Sequence, residues 1–250
     1  MRVAVWCTGH SIADTVGSAI FSGLVESGVK CCIFSTQWQD DSIFKNHDVH
    51  IGYGILRGMS DIYRKCDSKG VDWFNVDLGY TDPGHFSGNY RISHRGTQAI
   101  YDGPRSYDAD NPLPTGYTLI CPPSDYVCQF FGIDGPRWLH AAVAKCKGNY
   151  VIRQKGDKTD LDEHLAGAGL VVTFNSSVGW KAIAMGIPCL SDTTHSVVGS
   201  YYNTKCIDSI SRLYKDMPRE PLFRFMSERQ FSLDDIKRGK AWSLIENSIS

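Results

Sequence analysis

Short apolar runs return along this chain at intervals of roughly 20 to 25 residues, each followed by a stretch with helical spacing. That rhythm constrains the fold more than any other feature. The first run, Arg2 to Cys7, stops at Thr8-Gly9-His10. Apolar residues then fall at Ile12, Val16, Ile20 and Leu24, a four-residue spacing that predicts a helix. A turn at Glu26-Ser27-Gly28 leads into a second run, Val29 to Phe34, which completes a β-α-β opening. Further strand-like pieces lie at His50 to Tyr53 and Val71 to Tyr80, with a helix predicted from Gly54 to Cys66. A second register begins at Tyr117 to Cys121 and continues through Tyr150 to Arg153, Leu170 to Phe174 and Pro188 to Leu190. Helices are predicted from Pro136 to Ala144, Asp160 to Ala168 and Ser176 to Met185. The fold class read from this pattern is α/β, with parallel sheets in two Rossmann-like lobes.

The stretch at 81–118 is rich in Gly, Pro, Asp, Asn and Tyr, and Pro104, Pro112 and Pro114 mark a connection with a break between about 103 and 116. The expected lobes are 1–110 and 111–205, followed by a helical tail at 206–250. Tyr90 to Gly96 reads as an exposed strand and turn. With 250 residues, the chain can bury a core without disulfide or metal staples. The formal net charge of -1 excludes a protein that coats polyanions, but leaves room for a local phosphate site. No apolar run approaches the 18 residues of a membrane-spanning helix, and the N-terminus reads as a strand rather than a signal peptide. Nine scattered cysteines without C-x-x-C spacing read as reduced thiols of a cytoplasmic protein. His47 and His50 lack the partners of a zinc site and read as a polar loop, and no metal site is expected.

Candidate chemistry gathers where strands end. Asn175-Ser176-Ser177 lie between a strand and a helix, where serine hydroxyls and free N–H groups can hold a diphosphate. Val178 opens that helix, Gly179 permits close approach, and Gly186-Ile187-Pro188 stops it. An ordinary serine-capped junction is the plain alternative. Arg153 and Lys155 follow the preceding strand and are candidates to neutralise a leaving diphosphate. Asp77, ending an apolar strand beside Gly79, is the leading carboxylate for general-base work. His10, on the first loop, is a second candidate to deprotonate an acceptor, whereas Asp14 does base work or caps the helix. His85, His94 and Arg95 are weaker candidates for acceptor or phosphate contact. Tyr80, Phe86 and Tyr90 either stack on a ligand or pack a loop. A dinucleotide fingerprint is absent, because Ser11 and Ala13 stand where further glycines belong after Gly9.

The segment Asn175 to Leu190 resembles the nucleotide-binding half of GT-B-type glycosyltransferases, in particular the T-x-N-S-S-V-G-x-E-A-x-x-x-G-x-P-V passage of capsule-polysaccharide transferases. Tyr150 to Asp157 is similar to the V-R-x-K strand end that precedes it, and Asp160 to Ala168 to the intervening helix. Asp77 to Tyr80 and Tyr90 to Ser93 resemble a pattern in small transferase-like proteins, several carried by phages. The resemblance implies a short GT-B-like architecture, with the acceptor on the N-terminal lobe and a nucleotide sugar on the C-terminal lobe. It implies no cofactor beyond the donor substrate. Lys181 stands where the family commonly has a glutamate that grips the ribose.

Sugar transfer from a nucleoside-diphosphate sugar to a hydroxyl is the leading functional expectation. Another nucleotide-sugar enzyme such as an epimerase, or an inert nucleotide- or nucleic-acid-binding protein, are the alternatives. A metal-independent route is favoured, because no D-x-D triplet sits at an obvious strand end, and Asp108-Ala109-Asp110 lies in the Pro-rich connection. A hydroxymethylated base in phage DNA is one conceivable acceptor, with Arg91, His94, Arg95, Arg105 and Arg137 as groove candidates.

Overall fold

The computed structural model describes residues 1–81, 84, 86–99, 101, 115–146, 148–192, 194–202 and 219–249. In chain order the elements are β1 (Arg2–Cys7), α1 (Ser11–Glu26), β2 (Lys30–Ser35), α2 (Asp41–Asn46), β3 (Val49–Tyr53), α3 (Met59–Lys69), β4 (Asp72–Leu78) and β5 (Asn89–His94). Then come β6 (Tyr117–Cys121), α4 (Asp125–Phe131), α5 (Gly135–Lys145), β7 (Tyr150–Ile152), α6 (Leu161–Ala166), β8 (Ala168–Thr173), α7 (Val178–Ala184) and β9 (Cys189–Leu190). The chain closes with α8 (Val197–Tyr202), α9 (Arg219–Ser227), β10 (Gln230–Ser232), α10 (Leu233–Lys237) and α11 (Trp242–Asn247). Among the described residues no helix is long and apolar enough to cross a membrane.

The chain divides into two compact units, 1–97 with 226–250, and 98–225. The first holds a six-stranded sheet in the order β10-β5-β4-β3-β1-β2, in which β1 to β4 run parallel and β5 and β10 are antiparallel additions. β1, β3 and β4 are buried on both faces along most of their length, as strands inside a parallel sheet are, whereas the edge strand β2 is largely exposed. Val3, Val5, Ile51, Phe74 and Val76 form one core with Val16, Ile20 and Leu24 of α1. On α1 these are the positions the four-residue spacing picked out. Ile236, Trp242 and Ile245 from the C-terminal segment close the same core. Trp6, Phe44 and His50 stack together elsewhere in this unit, with Trp6 Nε1–H donating to His50 Nδ1 at 2.9 Å.

The second unit holds a four-stranded, wholly parallel sheet in the order β7-β6-β8-β9. Leu119, Ile120, Val171 and Val172 are buried in it, and Leu165, Ala182 and Ile183 are buried on its helices. The α/β class with parallel sheets therefore holds for both units.

Several local expectations change. The expected break at 103–116 falls mainly on 102–114, which lie outside the described residues, as do Asp108 to Asp110, Arg105 and His85. Of the expected helical tail, 206–218 also lie outside them. From Arg219 onward the segment is helical, but it includes strand β10, which joins the first sheet beside β5. That pairing makes β5 an internal strand, and Tyr90 is fully buried rather than exposed. His50 is a buried residue of β3, not part of a polar loop, because the aromatic stack around it provides the apolar contact and the Trp6 hydrogen bond provides the polar one. The eight cysteines among the described residues are all free, and Cys66, Cys121 and Cys189 are buried.

Candidate functional site

Both sheets reverse their winding direction at one point. In the first, the chain leaves β1 for β2 on one side and later lays β3 on the other. In the second, it leaves β6 for β7 and later lays β8 on the other side of β6. Open α/β sheets bind ligands beyond the carboxyl ends of the strands at such a reversal, because the two connections diverge there and leave a crevice.

In the second unit the reversal gathers most of the donor-side candidates. Cys121 pairs with Thr173, and Arg153 N–H donates to Ile120 O at 2.9 Å, so Arg153 and the end of β8 flank the end of β6. One Arg153 terminal nitrogen donates to Thr159 O at 2.9 Å. Its Nε is buried and has no partner among the described residues. A buried guanidinium N–H without an acceptor carries a desolvation cost that an anion would relieve. Lys155 lies just beyond on an exposed turn. Burial is the main influence on the Cys121 thiol and pushes it up to about 11, with the nearby Arg153 charge acting the other way.

Beyond β8 the chain turns through Asn175, Ser176 and Ser177 into α7. The helix is shorter than the sequence predicts, starting at Val178 rather than Ser176. Ser177 already has helical backbone angles and makes no side-chain cap, whereas Ser176 Oγ accepts the Val178 N–H at 3.3 Å. That contact is long for a hydrogen bond, so a phosphate oxygen could replace it. Gly179 is buried, and a Cβ there would sit 3.1 Å from Cys189 Sγ, so it serves packing of α7 on β9 rather than ligand approach. Lys181 Nζ pairs with Asp162 Oδ1 of α6 at 2.5 Å, so its charge is spent on a carboxylate of its own unit.

A pair of residues the sequence reading missed stands at the same edge. After β9, Asp192 N–H donates to Phe174 O at 2.9 Å, which ties the β9 loop to the end of β8. Asp192 Oδ1 accepts from the backbone of Thr194 at 2.9 Å and of His195 at 2.7 Å, and from His195 Nδ1 at 2.8 Å. Burial pushes this carboxyl up, but the hydrogen bonds from His195 and Thr194 outweigh it and hold it below the ordinary carboxylate range. The His195 ring packs on Phe131 and Phe174, with centroids 4.5 and 5.4 Å away. The only sequence signal for this pair was its place just past a short strand, and Asp-x-x-His has no fingerprint of its own.

In the first unit, Asp77 sits near the carboxyl end of β4, and Gly54 N–H donating to Val76 O at 2.8 Å sets the end of β3 beside it. One Asp77 oxygen accepts the Leu78 N–H at 2.8 Å and the other pairs with Arg91 at 3.2 Å, directly across the β4–β5 register. Arg91 in turn lies over the Tyr80 ring, 5.3 Å from its centroid. Burial first, then the Asp77 charge, pushes the Tyr53 hydroxyl up to about 12. His10 lies past β1 at the same sheet edge, as the N-cap of α1, and makes no side-chain capping bond. Asp14 does not cap the helix either: its Oδ1 accepts from Thr8 and Gly9 N–H at 3.0 and 3.2 Å, which ties the loop after β1 to the first turn of α1.

Other candidates disperse. His94 and Arg95 lie at the opposite, amino edge of β4, tied to Asp72 at 2.9 and 3.1 Å, because β5 runs antiparallel. Tyr80 and Tyr90 are buried and pack the sheet rather than face a ligand. Arg91 and the His94–Arg95 pair thus fall at opposite edges and do not form one basic groove. Among the described residues no group of three His, Cys, Asp or Glu side chains is placed to hold a metal ion.

No protein-family model and no curated protein matches the sequence. Among solved structures, the chain is similar to the beta Kdo 2,4 transferase KpsC of Thermosulfurimonas dismutans, with 10% identity, 90% of each chain covered and a TM-score of 0.43. It is also similar to an ABC transporter, LacI-family transcriptional regulator protein of Brachyspira murdochii, at 11% identity over 73% of this chain and 68% of that one, with a TM-score of 0.29. A solute-binding protein of Conexibacter woesei gives 15% identity over 96% and 81% of the two chains, with a TM-score of 0.27. At these identities and scores the similarities assign no activity to this chain.

Proposed function

We propose that the second unit binds a nucleoside-diphosphate sugar and that the chain transfers the sugar to a hydroxyl of an acceptor bound by the first unit. The observation that carries this reading is the unpartnered, buried Arg153 Nε at the sheet reversal, on the same edge as the Asn175-Ser176-Ser177 turn. Such an edge suits a ligand that carries concentrated negative charge at one end and a ring to recognise at the other. The sequence resemblance at Asn175 to Leu190 supports a nucleotide in that place.

In the proposed reaction the bond from the anomeric carbon to the phosphate oxygen breaks as the acceptor oxygen bonds to that carbon. The acceptor proton passes to Asp77, with His10 as the next candidate. Negative charge grows on the leaving diphosphate, and Arg153, Lys155, the Ser176 and Ser177 hydroxyls and the N–H groups up to Val178 stabilise it. Each charge-assisted hydrogen bond is worth about 1.5–3 kcal/mol.

The test is release of free nucleoside diphosphate from a panel of activated sugars, with and without candidate acceptors. Acceptor-dependent release supports transfer, and loss of release in an Arg153→Met variant that remains folded supports the donor site. A protein that releases no nucleoside diphosphate from any donor, yet binds one, would be a binding module instead. Asp77→Asn should reduce turnover about 10²–10⁴-fold while leaving nucleotide affinity nearly unchanged. Normal turnover in that variant would remove Asp77 from the mechanism.

A further inference from the structure

The scheme above leaves the Asp192–His195 pair without a task, although three connections converge on it. Phe131 arrives from α4 after β6, Phe174 from the end of β8, and Asp192 with His195 from the loop after β9. These are the strand ends that surround the Asn175-Ser176-Ser177 turn. Ser191 and Asp192 both bond to Phe174 O, immediately before that turn, with Asp192 N–H at 2.9 Å. The loop that carries His195 is thereby clamped to the loop that carries the serines.

The chemistry of the pair fixes the ring. An ionised carboxylate only accepts hydrogen bonds, so His195 Nδ1 must carry the proton in the 2.8 Å contact with Asp192. Nε2 is then the ring's second polar atom, a lone pair when the imidazole is neutral and a donor when it is charged. Phe131 and Phe174 hold the ring by its faces and edges, and the side chain keeps 28% of its surface open. Of the groups described against it, from α4, β8 and its own loop, Asp192 is the one that titrates.

We propose that His195 takes up a proton with the donor and gives an Nε2–H hydrogen bond to an oxygen of the leaving diphosphate, with Asp192 positioning the ring. The inference rests on the donor-side reading and adds to it the loop after β9. It makes donor binding a proton-coupled event, in which one proton is taken from solvent to His195 as the phosphate enters and is returned when the diphosphate leaves.

Inorganic pyrophosphate is a suitable probe, because it carries the charged portion of every nucleoside diphosphate. Titrations at pH 6.0 and 8.0 would compare the parent chain with His195→Asn, Asp192→Asn and the Ser176→Ala/Ser177→Ala double variant. His195→Asn should bind pyrophosphate about tenfold more weakly or worse at pH 6.0 and lose part of the parent's pH dependence. Asp192→Asn, which keeps an acceptor oxygen for the loop, should lose less. In ¹⁵N spectra of the parent imidazoles, the His195 Nε2 signal should move from the unprotonated to the protonated range on adding pyrophosphate. That readout does not depend on any variant folding, and a merely structural histidine would not show it. If the serine double variant loses binding while His195→Asn and the Nε2 signal are unmoved, the inference fails and the donor reading stands. If the parent binds no pyrophosphate at either pH, both fail.

Discussion

Acid should destabilise the first unit through His50. Its imidazole is fully buried on β3, and burial, then the charge of His47, pushes it down from 6.5 to about 4, with the His47 backbone pulling slightly the other way. Trp6 Nε1–H occupies Nδ1, so the proton of the neutral ring sits on Nε2, which has no partner of normal geometry among the described residues. A charged ring there would break the Trp6 bond and place an unsolvated cation between Phe44 and Trp6. The folded value lies below the unfolded one, so the unfolded chain binds the proton first. The stability is intact above pH 6.5 and is lost as pH falls toward 4. For a shift from 6.5 to about 4, the loss between pH 7.5 and pH 4.5 is on the order of 2–3 kcal/mol. Urea unfolding of the parent and of His50→Phe, followed across that range, isolates the effect. At pH 7.5 the variant should be weaker by about 1–3 kcal/mol, because the Trp6 N–H loses its acceptor. By pH 4.5 the two should converge or cross, since only the parent carries the histidine loss. Parallel curves for the two proteins would refute the reasoning.

Three further outcomes follow from packing and charge. Gly23→Ala should cost about 1–3 kcal/mol and expose 233–247 to hydrogen exchange, because a Cβ there would lie 2.0 Å from Ile236 O at the α1–α10 contact. Among the eight described cysteines, alkylation followed by mass spectrometry should label Cys32 first, since it is the exposed one, whereas burial pushes the Cys7 and Cys66 thiols up to about 11 and about 12. Lys181→Met should change thermal stability by under about 1 kcal/mol, because its partner Asp162 is 58% exposed and the pair is screened by water.

The parts of the fold that were legible in the sequence are those fixed by local pattern. Arg2 to Cys7 and Leu170 to Phe174 are buried on both faces, so their apolar runs announced strands whatever lay beside them. The spacing of Val16, Ile20 and Leu24 likewise marked one face of α1. What was hidden depends on distant partners. Gln230–Ser232 is three residues of mixed polarity, and it is a strand because Asn89 to Arg91 lie beside it. Without that partner in view, the alternation of Arg91 and Ser93 with Tyr90 and Ile92 reads as an exposed edge. The short helices Asp41–Asn46 and Asp125–Phe131 span fewer than three turns and leave little periodicity to detect. On the site, the serine turn and Arg153 were legible because they follow recognisable strands. Asp192 and His195 follow a two-residue strand, Cys189–Leu190, whose end is not apparent until β8 is placed beside it.

A crystal structure of the chain with a bound nucleoside diphosphate tests the central claim most directly. The account predicts phosphate oxygens at hydrogen-bond distance, about 2.7–3.2 Å, from Ser176, Ser177 or the Val178 N–H, with Arg153 on the same phosphate group. Phosphates bound elsewhere on either unit, with the Asn175-Ser176-Ser177 turn untouched, would contradict it.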